Sequence, residues 1–200
     1  IYFGGAYLHL EASEFSTPES LKKLLGDETT EGIFTKRLKE NPYLLILIEK
    51  PELAHQQVLT ALLPALKVGY LKDFRGKTID FANTIVIGVS ELYDELIELE
   101  IKKGFTPEDL LPTIKEKLKI DYPLIDELFT EIIVFQPLTK LDLKNLALKF
   151  IEKLKGEILK NFNSEILITD SALAKLVEIG ENEGVLKLKS TIEDKLKSLL

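Results

Sequence analysis

Two short, unbroken apolar runs stand out in the first half of the chain, at residues 43–48 and 84–89. Both runs are rich in isoleucine, leucine or valine, and a glutamate follows each of them within two residues. Apolar runs of this length, with no polar side, are typical of central strands in a parallel sheet whose two faces are covered by helices. The pattern therefore predicts two buried parallel strands.

The segment between these runs predicts the crossover of a strand–helix–strand unit. Residues 53–66 carry apolar side chains at helical spacing, and residues 67–81 are rich in turn and polar residues. In such a unit the functional groups are expected at the carboxyl ends of the parallel strands. Those ends are Glu49, Lys50 and Glu91.

Helical patterns occupy much of the remaining chain. A short strand is predicted at residues 6–10. Helices with capping residues or apolar side chains spaced by three and four are predicted over residues 18–25, 92–103, 107–119, 141–161 and 170–179. Gly180 is expected to close the last of these helices, because glycine readily adopts the backbone conformation that ends a helix.

Residues 42–90 follow a known family pattern in register and without a gap. The matching residues are Pro42, Tyr43, Ala54, His55, Val58, Leu62, Leu63, Leu66, Gly69, Leu71, Asp73, Gly76, Thr78, Asp80, Phe81, Asn83, Thr84 and Ser90. This stretch resembles the C-terminal ATPase module of Clp-type AAA+ ATPases, which include the ClpB-like chaperones and unfoldases. Similarity over so long a stretch is highly specific.

The resemblance implies an α/β fold, with an AAA+ type parallel sheet flanked by helices and followed by a mostly helical C-terminal lid subdomain. The large subdomain is expected to span residues 1–136, and the lid residues 137–200. Further strands are expected at residues 132–135 and, in the lid, at 166–168. The family's phosphate-binding loop lies upstream of the first strand, and its G-x-x-x-x-G-K-[ST] pattern does not occur in these 200 residues.

The departures from the family pattern fall on its catalytic positions. Glu49 stands where the family has an Asp that helps to hold Mg²⁺, and Lys50 where it has the Glu that orients the attacking water. Glu91 replaces a polar sensor of the terminal phosphate. The resemblance places Leu128 at the position of the arginine finger and Leu186 at the second sensor, which is an Arg in the family.

Lys50 cannot replace the missing Glu, because an ammonium group donates three hydrogen bonds and accepts none. It is either a surface lysine or a substitute for the metal, held between Glu49 and Glu91, where it would neutralise two carboxylates no longer balanced by Mg²⁺. The family's aromatic channel loop is replaced by the short polar segment 27–30, which has no comparable apolar surface to grip a polypeptide. No catalytic residues and no metal site are therefore expected.

Composition narrows the remaining possibilities. The chain is 45% hydrophobic, and its 26 basic and 33 acidic residues give a net charge of −7. These charges are spread along the chain, unlike the basic footprint of a nucleic-acid binder. Cysteine is absent and no apolar run could cross a bilayer, so a cytoplasmic protein is expected. Because it begins at Ile1 and has no methionine, the sequence is expected to be a fragment or to lack some residues.

These observations favour a Clp/ClpB-like AAA+ chaperone-family module that is catalytically silent, a pseudo-ATPase acting as a protein-interaction, scaffold or regulatory domain. No cofactor is expected, the partner is expected to be a protein rather than nucleic acid or a membrane, and loss of the arginine finger argues against a ring oligomer. The alternative is a fragment of an active ATP-dependent chaperone or unfoldase that binds ATP and Mg²⁺. A small-molecule-binding domain is a third class, without positive support.

Overall fold

A computed structural model describes residues 6–163 and 166–197 of the chain. The chain divides into two compact units, Ile1–Gln136 and Pro137–Leu200. Within the described residues, all strands lie in the first unit and the second unit is helical. None of the described helices is both long enough and apolar enough to span a membrane.

The first unit is built around a sheet of three parallel strands. The strands of its described residues are β1 (Tyr7–Glu11), β2 (Leu44–Glu49), β3 (Tyr70–Lys72), β4 (Thr78–Asp80) and β5 (Thr84–Val89). The parallel sheet has the order β1-β2-β5, whereas β3 and β4 pair as a separate antiparallel hairpin. The two apolar runs are thus neighbouring parallel strands, and the predicted α/β fold is confirmed.

Helices flank this sheet and complete its apolar core. They are α1 (Leu21–Leu25), α2 (Ile33–Glu40), α3 (Gln56–Val68), α4 (Asp94–Lys102), α5 (Pro107–Asp121) and α6 (Pro123–Leu128). In β2 the side chains of Leu44, Ile46 and Ile48 are buried, because alternate residues of a strand share one face. They join one apolar cluster with Phe34 of α2 and Val58 of α3.

The two faces of the sheet are unequally covered. Leu10 of β1 and Ile46 of β2 are buried on the face that packs against the helical core. On the opposite face, Tyr7 of β1 and Ile85 and Ile87 of β5 are exposed. The apolar runs predicted two strands buried on both faces, and this prediction is wrong for both. In the described sheet β2 is buried on one face, and no residue of β5 is fully buried.

The strand expected at residues 132–135 is not formed, and this prediction is wrong. Ile133 and Phe135 are 77% and 81% exposed, and the segment makes no ladder with any described strand. A β-strand needs a neighbour to receive its backbone hydrogen bonds, so apolar composition alone does not produce one.

Helix α3 begins three residues later than predicted, because its N-terminus is set by a histidine cap. Pro51–Leu53 form a short 3₁₀ turn before the helix. The Nδ1 atom of His55 accepts a hydrogen bond from the backbone N–H of Gln57 at 3.2 Å, and the backbone N–H of His55 donates to the carbonyl of Phe15. His55 therefore has a structural function at the helix N-terminus.

The second unit consists of two long helices, α7 (Lys140–Phe162) and α8 (Asp170–Lys197). Apolar residues spaced by three and four line one side of each helix and form a common core. Its buried members are Leu143, Ala147, Ile151, Leu154, Ile158, Leu173, Val177, Leu188, Ile192 and Leu196. The long helix that was predicted over 141–161 corresponds closely to α7.

Two details of the second unit differ from the prediction. Helix α8 does not end at Gly180 but continues to a break at Gly184, which has a φ of 85°. A Cβ at Gly180 would lie 3.2 Å from the Cδ2 atoms of both Leu143 and Leu188, so this glycine permits close packing rather than ending the helix. The strand expected at residues 166–168 is also not formed, and Leu167 is 91% exposed.

Helix α7 begins with a capping box that offers a test of the second unit. The Thr139 hydroxyl accepts from the Asp142 backbone N–H at 3.2 Å, and the Asp142 carboxylate accepts from the Thr139 backbone N–H at 2.9 Å. Thr139→Ala is expected to lower the free energy of unfolding of this unit by about 1 kcal/mol. Urea denaturation followed by circular dichroism measures the change. No loss relative to Ser171→Ala, which removes another exposed hydroxyl, would contradict the cap's contribution.

Candidate functional site

A polar cleft lies at the carboxyl ends of the three parallel strands, where the sequence placed the functional groups. It has a volume of about 490 Å³. Its lining combines strand-terminal residues with the turns that follow them: Glu11, Ser13, Glu49, Lys50, Leu53, Val89, Ser90 and Glu91. The parallel register brings these ends together, because Glu11 lies opposite Glu49 and Glu49 lies opposite Val89.

The backbone of Lys50 leaves β2 by an unusual route. Its N–H still donates to the carbonyl of Val89 at 2.7 Å, but its φ of 51° and ψ of 56° are left-handed. This conformation costs a residue with a side chain roughly 1–2 kcal/mol. The strand therefore ends at Glu49, and at Lys50 the chain turns into the 3₁₀ turn that starts at Pro51.

Two side-chain contacts lie at these strand ends. The Nζ atom of Lys50 lies 2.8 Å from Oε2 of Glu91 and forms an ion pair with it. The Nε2 atom of His9 lies 3.3 Å from Oε2 of Glu49. Lys50 was interpreted as either a surface lysine or an ammonium held between Glu49 and Glu91. The structure pairs it with Glu91 alone, because Glu49 contacts His9 instead.

These charges shift the proton affinities at the edge of the cleft. The hydrogen bond and charge of Glu91 raise the pKa of the Lys50 ammonium above its usual value. Burial, followed by the nearby Glu91 carboxylate, raises the pKa of Asp94. A raised lysine pKa means that the ion pair stabilises the fold below the usual lysine pKa and loses this contribution as the pH rises through the shifted value.

The cleft does not fit a nucleotide with its magnesium ion. Mg²⁺ prefers oxygen ligands in a nearly octahedral arrangement, and Glu91, one of the candidate carboxylates, is paired with the ammonium of Lys50. Within residues 6–163 and 166–197, no group of three or more His, Asp or Glu side chains could hold a metal ion. Glu11, Glu49 and Glu91 also put three carboxylates in the lining of this cleft, and their charges repel an anionic phosphate group.

Leu128 and Leu186, which the resemblance assigns to arginine positions of the family, have different surroundings. Leu128, the last residue of α6, is 5% exposed and belongs to the core of the first unit. Leu186 follows the break at Gly184 in α8 and is 85% exposed. The structure thus brings Glu49, Lys50 and Glu91 together, whereas Leu128 packs in the core and does not line their cleft.

Two residues at or beside the cleft were not singled out from the sequence. Glu11 lines the cleft, and His9 contacts Glu49; both lie on β1 and reach this place through the pairing of β1 with β2. Glu11 ends its strand as Glu49 does, so the rule for parallel strand ends could have identified it. Nothing in the spacing of His9 indicated a contact with Glu49, because the two residues are forty positions apart and meet only through the sheet register.

The short segment that replaces the family's aromatic loop forms a closed turn. The Oδ1 atom of Asp27 accepts hydrogen bonds from the backbone N–H groups of Thr29 and Thr30, both at 2.8 Å, and from the Thr29 hydroxyl at 2.9 Å. These donors hold the pKa of Asp27 well below its usual value. Gly26 and Glu31 pair across the base of the turn.

The chain is similar to known proteins over nearly its whole length. The model of a family described as AAA domain (Cdc48 subfamily) matches residues 5–129. The ATP-dependent Clp protease ATP-binding subunit ClpC of Staphylococcus aureus (strain USA300) is 29% identical over 215 residues, covering 98% of this chain and 26% of that protein. The same subunit of Staphylococcus epidermidis (strain ATCC 12228 / FDA PCI 1200) has the same identity and coverage. The chain thus spans about a quarter of the length of these curated relatives.

Proposed function

This chain belongs to the AAA domain (Cdc48 subfamily) family as a Clp-type AAA+ chaperone-family ATPase module, and from that premise we propose that it is catalytically silent. In this proposal, the module acts through protein contacts as an interaction, scaffold or regulatory domain. The two compact units would correspond to the large subdomain, residues 1–136, and the helical lid, residues 137–200.

The ion pair between Lys50 and Glu91 carries this proposal. A hydrolytic site needs a carboxylate or another acceptor to orient water, and it needs a metal ion beside the phosphates. The ammonium of Lys50 supplies no acceptor, and it holds the Glu91 carboxylate at 2.8 Å. A cation supplied by the chain therefore occupies the strand ends at which the family places its catalytic acids.

Leu128 and Leu186, at the positions that the resemblance assigns to the family's arginines, support the same proposal. An arginine finger contributes roughly 10³ to 10⁵ in rate by stabilising charge in the transition state. Leu128 is buried among apolar side chains, so its position is used for packing in the core. Leu186 is exposed, but its side chain carries no charge that could contact a phosphate.

A role through protein contacts follows from what the module retains. Its relatives are named as subunits of an ATP-dependent protease, and a subunit by definition assembles with other polypeptides. The closed turn at residues 27–30 is polar and exposed, so it does not offer the apolar grip that threading of a polypeptide requires. We therefore propose binding to a protein partner rather than translocation of a substrate, with no requirement for ATP or Mg²⁺.

The decisive experiment is an ATP titration with and without Mg²⁺, combined with measurement of phosphate release. It is performed on the 200-residue chain and on the longest polypeptide that contains it, with the S. aureus ClpC subunit assayed in parallel as a positive control. We expect no Mg²⁺-dependent turnover in either preparation, because the acceptor that orients water is missing. Micromolar, Mg²⁺-dependent ATP binding with turnover would refute the silent module.

A double variant tests whether Lys50 and Glu91, rather than other parts of the chain, are the reason why ATP is not hydrolysed. Lys50→Glu combined with Glu91→Asn restores the acid and the polar sensor of the family without touching the core. Turnover that appears only in this variant would identify Lys50 and Glu91 as the cause of silence. ATP binding without turnover in the unaltered protein would leave hydrolysis absent and make the module a nucleotide-sensing scaffold.

The alternative proposal is a segment of an active ATPase whose site is completed by other parts of a longer protein. The specific observation in its favour is that ATP-binding subunits match 98% of this chain while the chain covers 26% of their length. Under this alternative ATP and Mg²⁺ would be bound, and the turnover assay on the longer polypeptide would be positive.

A further inference from the structure

The residues that connect β5 to α4 form a tight turn beside the polar cleft. Residues 90–94, which we call the latch turn, begin in the cleft lining and end at the first residue of α4. The backbone N–H of Leu92 donates to the Ser90 hydroxyl at 3.0 Å, and that of Asp94 donates to the Glu91 carbonyl at 3.3 Å. These two bonds close the turn locally, and contacts with two other elements fix it in place.

The cleft end of the latch turn is anchored to the end of β2 through Lys50. The Lys50 ammonium pairs with the Glu91 carboxylate, and its backbone N–H donates to the carbonyl of Val89, the residue directly before the turn. The side chains of Lys50 and Glu91 are 47% and 68% exposed. An ion pair between exposed side chains changes an equilibrium by less than about fivefold. This anchor is therefore weak enough to be released.

The other end of the latch turn is anchored to α5 through Tyr93. The Tyr93 hydroxyl donates to Oδ2 of Asp121 at 2.9 Å, and Nζ of Lys117 lies 5.4 Å from the centroid of the tyrosine ring. A cation at this distance is attracted to the face of an aromatic ring. Both partners lie on α5, whose Leu118 belongs to the core of the first unit. Tyr93 therefore ties the turn to a firmly packed helix.

Tyr93 begins α4 in an unusual way. The residue before a helix normally has an extended backbone and a side-chain oxygen that accepts from the first N–H groups of the helix. Tyr93 instead has a left-handed backbone, with φ 67° and ψ 14°, and its side chain makes no capping hydrogen bond. Such a conformation is unfavourable for a bulky residue and persists only where surrounding contacts enforce it. The contacts with α5 therefore hold the start of α4.

The two anchors also share this backbone conformation. In the part of the chain that the structure describes, the residues other than glycine with positive φ are Lys50, Tyr93 and Asn163. Two of these three thus hold the same five-residue turn, one at each end. Backbone strain of this kind is concentrated at functional sites and switch regions, where it is maintained by the surrounding structure. The pattern points to a turn that has a conformational role.

We propose that the latch turn couples the polar cleft to helix α4. While Lys50 is paired with Glu91 the turn is ordered, which positions Tyr93 for its contact with α5 and lets α4 begin at Asp94. When the ion pair is broken, the turn gains freedom, the tyrosine contact weakens and the first turn of α4 frays. Because both anchors order the same residues, each lowers the entropy cost of forming the other. This inference goes beyond the proposed function and does not rest on it.

Amide hydrogen exchange resolved by NMR tests the coupling on the intact 200-residue chain. The amides of Asp94 and Ile97 report on the latch turn and on the first turn of α4, because they donate to the carbonyls of Glu91 and Tyr93. Lys50→Met removes the ammonium and keeps an unbranched side chain. We expect both amides to exchange about two- to fivefold faster in this variant, the range for loss of an exposed ion pair.

Matched variants separate this coupling from a general loss of stability. Lys39→Met breaks another exposed ion pair of the same unit, with Glu31, and is expected to leave both exchange rates unchanged. Lys50→Arg keeps the positive charge and is expected to retain the rates of the unaltered chain. Circular dichroism verifies folding, and Glu91→Gln tests the same ion pair if Lys50→Met does not fold.

The coupling is also tested from the α5 end. Tyr93→Phe removes only the hydroxyl, and we expect the Leu92 amide on the cleft side of the turn to exchange at least about twofold faster. Tyr43→Phe, which alters an exposed tyrosine elsewhere in the unit, is the matched control with no change expected.

Several results would overturn the proposal. These are unchanged exchange of Ile97 in Lys50→Met, unchanged exchange of Leu92 in Tyr93→Phe, and equal acceleration in either control variant. Acceleration in Lys50→Arg as large as in Lys50→Met would overturn it too, because the charge would then not be the anchor. None of these outcomes depends on ATP turnover, which tests the silent module separately.

Discussion

Replacing Leu128 with arginine is expected to unfold the first unit rather than to restore a catalytic group. Leu128 is 5% exposed and lines a small apolar cavity together with Phe15, Ile48 and Leu59. A guanidinium there would lose its hydration without gaining a charged partner, and such changes are among the few that cost more than about 4 kcal/mol. For a unit of this size we expect the melting temperature to fall by more than about 10 °C.

The matched control for this change is Leu186→Arg. Leu186 is also a leucine at a position where the family has arginine, but it is 85% exposed. Its replacement should therefore alter the free energy of unfolding by at most about 0.5 kcal/mol. Thermal and urea denaturation of both variants would measure the two losses of stability. Full stability of Leu128→Arg would mean that position 128 can present a guanidinium to solvent and would weaken the interpretation of this residue as core.

Replacing Gly32 with alanine is the second change with a large expected effect. A Cβ at this position would lie 2.4 Å from the backbone nitrogen of Gly26 and 2.4 Å from the carbonyl oxygen of Leu24. Backbone atoms on the other side of a closed turn cannot move aside as a flexible side chain could. We therefore expect Gly32→Ala to lower the free energy of unfolding by about 3 kcal/mol or more.

Gly76→Ala provides the comparison for this prediction. Gly76 has a φ of 74°, but nothing lies within 4 Å of a Cβ built on it. Alanine there is expected to lower the free energy of unfolding only by the cost of the left-handed backbone, roughly 1–2 kcal/mol. Urea denaturation of the two variants separates steric contact from backbone conformation. If Gly32→Ala were no more destabilising than Gly76→Ala, the closed turn would have to open without loss of stability.

The strands and their functional ends could be predicted from the sequence because the required signals are local. Apolar runs of six residues, each followed within two residues by a glutamate, indicate a strand and its carboxyl end. The resemblance then placed Glu49, Lys50 and Glu91 in one site, and the register of β2 with β5 brings these positions together. The hypothesis that Lys50 lies between Glu49 and Glu91 holds for Glu91 alone, because Glu49 contacts His9.

The features that could not be predicted from the sequence are those that depend on which elements lie side by side in the fold. Residues 132–135 are as apolar as many strands, but no described strand pairs with them, so the composition was misleading. The contact between His9 and Glu49 arises from the pairing of β1 with β2 and has no sequence signature. Glycine often ends a helix, yet α8 continues through Gly180. This glycine instead allows Leu143 and Leu188 to pack close to the helix backbone.

The same limit applies to the more exposed face of the parallel sheet. An apolar run indicates that a strand tends to be buried on both sides, but it does not indicate what covers each side. Only the register reveals that Tyr7, Leu45 and Ile85 form one cross-strand row and that Glu11 and Glu49 lie side by side at the carboxyl ends of their strands.

The ion pair of Lys50 and Glu91 has a final consequence for how this cleft responds to its surroundings. A bound metal ion has a dissociation constant, so a chelator or a fall in free Mg²⁺ can empty its site. A lysine is covalently attached and is present at every ionic composition. With its pKa raised by Glu91, the ammonium stays charged throughout the physiological pH range. EDTA should therefore leave the melting temperature of the chain unchanged, because the positive charge at these strand ends is permanent.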